Sequence, residues 1–216
     1  LLEPTGNIKR AQEMAARAFG ADRAYFVTNG TSTSNKIVLQ ALLAPGDIVL
    51  IDRNCHKSHH YAMVLSGAQP LYLEAYPMTA YSMYGAVPLR EIKKALLDLK
   101  AEGKLDRAKL VDLTNCTCDG HMYHPERVME ECLAIKPDLV FLWDEAWFGF
   151  ARFSPFHRLR TSMHAAESLA ERLRTPAYRQ EYAAFRAQAG DLDPANPELR
   201  EMRLLPDPDQ GKLRVS

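Results

Sequence analysis

The chain has 216 residues, 47% of them hydrophobic and 25% charged, which suits one large globular domain with a substantial core and excludes a disordered segment. Its 27 basic residues balance 27 acidic ones, so the electrostatic footprint of a nucleic-acid or anionic-membrane binder is missing and neither partner is expected. No apolar run approaches the roughly 20 residues that span a bilayer, and the opening L-L-E-P-T-G is no signal peptide, so the cytoplasm is the expected address.

Four cysteines, Cys55, Cys116, Cys118 and Cys132, in a chain with no secretory signal read as reduced thiols rather than a disulfide framework. The absence of an initiator methionine implies a segment of something longer.

In chain order, Ile8, Ala11, Ala15, Ala18 and Phe19 recur at helical spacing and predict a helix over Asn7 to Phe19, ended by Gly20. A short strand is predicted at Ala24 to Val27. The pattern then alternates. A helix from about Ser32 to Leu43 stops at Pro45-Gly46, a strand runs from Ile48 to Ile51, a helix from about His56 to Ser66 stops at Gly67, and a strand follows at Pro70 to Leu73. A tyrosine-rich connection, Tyr76 to Val87, leads to a helix at Leu89 to Leu99, a strand at Lys109 to Leu113, a helix at Glu126 to Ile135 and a strand at Leu139 to Trp143. This is the βαβ rhythm of an α/β fold, three layers with a mostly parallel sheet between helices. Residues 1–158 make that core. Residues 159–211 read as a helical insertion (Met163 to Arg174, Tyr178 to Ala189) and a Pro- and Asp-rich loop, after which Leu213-Arg214-Val215 begins another strand.

Three strand ends carry chemistry. In an open parallel sheet the ligand crevice lies outside the carboxyl ends of the strands, so a polar residue arriving there is placed to meet a ligand. In T-N-G-T-S-T-S-N-K, Gly30-Thr31-Ser32-Thr33 is either a plain turn with a hydroxyl cap or an anion cradle in which backbone N–H groups and the Thr31 and Ser32 hydroxyls converge on a phosphate. In D-R-N-C-H-K-S-H-H, the histidines admit a capping or solvated reading, a zinc reading from the four-residue spacing of His56 and His60 beside Cys55, and a stacking reading. No C-x-x-C or H-E-x-x-H spacing supports zinc, and no metal is expected. His56 sits nearest the strand end and is the one able to lie flat on a ring, whereas His59 and His60 are expected to project further along the helix. In L-V-F-L-W-D-E-A-W, Asp144 is either an acid paired with some arginine or the partner of a pyridine nitrogen. Ala146 leaves room for a ring, and Trp147 is either a core or interface aromatic or part of the same cofactor surroundings. Asp119, His121 and His124 follow another strand, where a turn and a helix start at Pro125 account for most of the pattern. Phosphate cradle, stacking ring and buried acid together are what a pyridoxal phosphate pocket needs.

At these residues the chain resembles the large domain of the bacterial ornithine/lysine/arginine decarboxylases, pyridoxal phosphate enzymes with the aspartate-aminotransferase-like fold (fold type I). The resemblance rests on T-N-G-T-S-T-S-N-K-I-V, I-D-R-N-C-H-K-S, L-T-N-C-T-C-D-G and W-D-E-A-W-F-G-F-A-R-F-S-P, in that order, and covers Leu1 to about Met163. It implies Thr31 and Ser32 on the phosphate, His56 stacked on the ring, Asp144 on the ring nitrogen, and Ala146 and Trp147 about the cofactor, with Asp144 and His56 catalytic. It also implies a basic amino acid as substrate and a homodimer or higher homo-oligomer. Two departures stand out. Cys118 occupies a position where an aromatic is expected. The Schiff-base lysine of a Ser-x-His-Lys motif is absent: Lys212, in D-Q-G-K-L-R, is the only lysine after Asp144 and reads as a loop lysine. The catalytic lysine and the C-terminal domain are therefore expected beyond Ser216, and the segment alone is expected to be inactive. Rival readings are an aminotransferase or lyase on the same scaffold, a non-catalytic homologue with an assembly or regulatory role, and a zinc-binding module.

Overall fold

The computed structural model describes residues 3–210 and 213–216, so Lys212 lies outside the described residues. Five parallel strands form the sheet, in the order β2 (Gln69–Leu73), β1 (Ile48–Asp52), β5 (Ala108–Thr114), β6 (Val140–Asp144) and β7 (Arg214–Val215). The strand expected at Leu213 to Val215 is thus present and pairs with β6, Phe141 opposite Val215. The tyrosine-rich connection holds a small antiparallel pair, β3 (Pro77–Met78) and β4 (Met83–Tyr84).

Strand alternation decides which helices cover which face. Val49, Ile51, Leu110 and Leu142 point to one face, where they pack with Leu39 of α2 (Thr31–Leu42) and Ala62 and Met63 of α3 (Lys57–Ser66). Leu50, Val111, Leu113, Phe141 and Trp143 point to the other, under α4 (Leu89–Ala101), α5 (Pro125–Ile135) and α6 (Ser162–Leu173). The three layers are as the sequence implies. The insertion between β6 and β7 is built of α6 and α7 (Pro176–Ala189), and Tyr178, Leu169 and Leu173 anchor it in the same core.

One expected strand is absent. Ala24 to Val27 follows α1 (Gly6–Phe19) as irregular chain, with Tyr25 68% and Phe26 57% exposed. Both edges of β1 are taken by β2 and β5, and the segment pairs with neither outer strand, β2 or β7, so its β-prone side chains go without a ladder.

The chain reverses direction across the sheet at β1: β2 lies on one side of it and β5 on the other. The crevice at that switch point opens at the carboxyl ends of β1, β5 and β6.

Candidate active site

A cleft of about 580 Å³ lies at those strand ends, lined by Thr31, Ser32 and Asn35 of α2, by Asn54, Cys55 and His56 after β1, by Thr114, Thr117, Cys118 and Asp119 at the end of β5, and by Asp144, Ala146 and Trp147 at the end of β6. All six residues singled out from the sequence as cofactor contacts line this one cleft. Asp119 sits on its rim. His121 instead turns to Met83, with Nε2 3.4 Å from the sulfur, and His124 faces a separate hollow with Arg90 and Arg127.

The α2 end of the cleft is a helix N-terminus. Its cap is Gly30, with φ 73° and ψ −175°, a conformation that only glycine adopts without strain, and a Cβ there would meet nothing within 4 Å. The first amides to bond back are those of Thr33 and Ser34, both to the Gly30 carbonyl. The N–H groups of Thr31 and Ser32 have no partner among the described residues and are free to bind an anion.

His56 caps α3: its Nδ1 accepts from the Ser58 N–H at 3.2 Å and lies 2.9 Å from the Ser58 hydroxyl. Accepting at Nδ1 leaves the neutral ring with its proton on Nε2. The capping and stacking readings are therefore compatible, because the cap fixes the exposed ring at the cleft. Trp147 is 65% exposed, so it is no core residue of this chain.

Asp144 is the most constrained group. Its Oδ1 accepts from the Ala146 N–H at 3.0 Å, and its Oδ2 accepts from Asn35 Nδ2 at 3.0 Å and from His59 Nε2 at 2.9 Å. Burial by itself would raise its pKa, but these hydrogen bonds, that from His59 first, hold it below the usual carboxylate value. Asn35, buried in α2, gives its second hydrogen to the Ser58 hydroxyl at 3.2 Å, so one amide joins the anion-binding helix, the His56 cap and the acid.

His59 corrects the sequence reading. It does not project away from the cleft: it is fully buried beneath it, with Nδ1 2.7 Å from Asp112 Oδ2 and Nε2 on Asp144. His60 does point elsewhere, to the Tyr72 hydroxyl at 3.2 Å. Residues 57–66 form a helix over the face on which Leu110, Asp112, Leu142 and Asp144 alternate, and one turn along that helix brings position 59 over both acids. Sequence reasoning missed Asn35, His59 and Asp112. Asp112 had a visible signal, an acid inside the apolar run K-L-V-D-L-T.

On the other side of Asp144, Glu145 turns into the protein. Its Oε1 accepts from Asn115 Nδ2 at 2.7 Å and from the Ser162 N–H at 2.8 Å, so a carboxylate satisfies the first amide of α6. Burial pushes the Glu145 carboxyl up. Asn115 also donates to the Arg160 carbonyl and accepts from the Tyr123 N–H, which ties the ends of β5 and β6 to the insertion.

Among the described residues no group of three or more His, Cys, Asp or Glu is arranged to hold a metal ion, and no helix is long and apolar enough to cross a membrane.

The sequence model for "Orn/Lys/Arg decarboxylase, major domain" matches residues 1–177. The chain belongs to this family. It is 38% identical over 174 residues to lysine decarboxylase LdcA of Pseudomonas aeruginosa, a match covering 78% of this chain and 23% of that protein. It is 42% identical over 153 residues to the inducible ornithine decarboxylase of Escherichia coli, covering 67% and 20%. Among solved structures, lysine decarboxylase A from P. aeruginosa superposes with a TM-score of 0.61 at 36% identity, over 74% of this chain and 22% of that one. The Francisella novicida lysine decarboxylase LdcF gives 0.63 at 32%, over the same shares. The chain therefore spans 20–23% of the length of these curated relatives.

Pyridoxal phosphate is the cofactor of this decarboxylase family, and the cleft fits it on three observations of this chain. The anion end has unpaired amides and a glycine cap. The Thr114 hydroxyl, buried at the cleft, has no partner among the described residues. Asp144 stays ionised although only 5% exposed, which suits a protonated ring nitrogen.

Proposed function

We propose that the full-length protein decarboxylates a basic amino acid, arginine, lysine or ornithine, to the corresponding polyamine-type amine and carbon dioxide, with pyridoxal phosphate as cofactor. Residues 1–216 are the front part of the cofactor-binding domain: 1–158 supply the sheet and its helices, and 159–211 the insertion. The single observation that carries this reading is Asp144 held by three donors at the strand ends, in one cleft with the free amides of α2.

The amides and hydroxyls of Thr31 and Ser32 would hold the phosphate, with the α2 N-terminus favouring its charge. His56 would lie on the ring, with its tautomer set by Ser58. Ala146 and Trp147 would wall the cofactor, and Asp144 would keep the ring nitrogen protonated. When bound, the cofactor supplies an electron sink for the bond that breaks as carbon dioxide leaves. Asn35 and the Ala146 amide aim the Asp144 carboxylate. The Glu145 to Ser162 contact keeps the insertion docked beside the cleft.

Activity is proposed for the full-length protein only, since no Ser-x-His-Lys motif occurs in residues 1–216. A homo-oligomer is proposed as well, supported by the exposed run of Trp147, Phe150, Phe153, Phe156 and Leu159 that follows β6. The test is to incubate purified full-length protein with pyridoxal phosphate and each of L-arginine, L-lysine and L-ornithine, and to measure carbon dioxide and amine. Stoichiometric release of both from at least one is expected. A keto-acid product without carbon dioxide would replace the reading with aminotransfer, and no product from any of the three would leave a non-catalytic homologue.

A further inference from the structure

Two buried groups take no direct part in holding the cofactor. His59 spans Asp112 and Asp144, 2.7 Å from one and 2.9 Å from the other, with side-chain exposures of 0% for His59, 1% for Asp112 and 5% for Asp144. A neutral imidazole carries one N–H and satisfies only one of two carboxylates, whereas an imidazolium donates to both. We infer that His59 and Asp112 are positioning residues that keep Asp144 ionised and aimed at the cofactor's ring nitrogen. The inference rests on the cofactor reading of the cleft given above.

Charge explains why two residues are needed. Asp144 paired with a lone imidazolium would be a neutral unit and a weak partner for a second cation. With an ionised Asp112 on the far nitrogen the three groups carry one net negative charge to face one protonated ring nitrogen; burial raises the Asp112 carboxyl, and the hydrogen bond and charge of His59 oppose that rise. Asp112 is costly where it stands. Its strand neighbours Val111 and Leu113 are core residues, and its Oδ1 is buried with no partner among the described residues. A leucine there would bury more cheaply, so the carboxylate is explained by what it does to His59 rather than by stability.

The groups around His59 are Asp112 from β5, Asp144 from β6, Asn35 from α2, and Asp52 at the end of β1, whose charge also reaches it. Cys55 and His60, 3.7 Å apart, lie further out and interact with Asp112. Burial, then Asp112 and Asp52, push the Cys55 thiol up to about 12, so it stays neutral, while the charge of His60 reaches Asp112. Burial alone would lower the His59 imidazole, but the hydrogen bonds to Asp112 and Asp144 and their charges outweigh it and raise His59 to about 9. At neutral pH the imidazolium form is therefore the occupied one.

The experiment compares full-length wild type, Asp144→Asn, Asp112→Asn and the double variant His59→Leu/Asp112→Leu. It measures the dissociation constant for pyridoxal phosphate, the pH dependence of the bound cofactor's absorption band, and the urea midpoint of cofactor-free protein. The double variant removes the His59 and Asp112 charges together and leaves Asp144 with its Asn35 and Ala146 donors but no imidazolium, so it is expected to fold with a urea midpoint that reads the cost of that one lost partner. It is expected to bind the cofactor roughly tenfold more weakly, the size of effect seen when the partner of a ligating group is removed. Its absorption band is expected to titrate at a different pH from wild type. Asp112→Asn should shift affinity and band in the same direction. A double variant that folds and keeps wild-type affinity and band titration, while Asp144→Asn loses them, overturns this inference alone. If Asp144→Asn also binds and titrates as wild type, the cofactor reading of the cleft falls instead.

Discussion

Asp144→Asn is the sharpest single test of the site, because the surroundings of the carboxylate fix what the change must do. The wild-type group receives three donors, Ala146 N–H on Oδ1 and Asn35 Nδ2 and His59 Nε2 on Oδ2. An asparagine presents one NH₂, and either orientation turns that donor onto an existing one. With the nitrogen on the Oδ2 side two hydrogen bonds are lost. With it on the Oδ1 side the Ala146 amide is opposed. At least one buried hydrogen bond is lost in every case, costing about 1–3 kcal/mol. The His59 ion pair is lost too, and His59 can respond by giving up its proton. For turnover, removing the charge that matches the ring nitrogen is expected to cost about 3–4 kcal/mol of transition-state stabilisation, or roughly 10² to 10³ in kcat. The assay is single-turnover carbon dioxide release by full-length protein saturated with pyridoxal phosphate, run beside urea denaturation of the same preparations. Turnover within threefold of wild type, in protein of unchanged urea midpoint, would show that the carboxylate is structural and that the cofactor placement is wrong.

Three further outcomes follow from the same geometry. His59 has its pKa raised from 6.5 to about 9 in the folded chain. Its contribution is therefore complete below about 6.5 and lost as pH rises through about 9, roughly 3 kcal/mol at most. Urea midpoints measured from pH 6 to 10 should fall across that window, and a flat profile would refute the imidazolium assignment. His56→Ala should weaken cofactor retention, read as faster loss of pyridoxal phosphate on dilution, while His60→Ala, whose ring faces Tyr72, should not; equal losses from both would refute the stacking role. Asn115→Ala removes an amide that bridges Glu145, Arg160 and Tyr123, and should destabilise the chain by about 3–5 kcal/mol in denaturant titration; a loss under about 1 kcal/mol would mean that the insertion is not held through this contact.

The layered fold and the position of the cleft were legible in the sequence because both depend on local signals. Alternating apolar runs and turns specify parallel strands with crossover helices, and in such a sheet the strand ends that carry polar residues come together. Thr31, Ser32, His56, Asp144, Ala146 and Trp147 could be placed on that basis, since each lies within a few residues of a strand end or helix start. Ala24 to Val27 shows the opposite case: its residues favour a strand, but propensity does not by itself supply a partner, and the segment pairs with no strand of the sheet. The same limit hid His59, Asp112 and Asn35. Spacing tells which face of a helix or strand a residue occupies, yet it does not tell which element stacks on that face. Only when α2 and α3 lie over β5 and β6 do an amide, an imidazole and two acids, far apart in the chain, converge on one buried network. The polar chemistry at the cleft surface is local and could be read from the chain, whereas the charge balance beneath it is a property of packing and exists only in the folded protein.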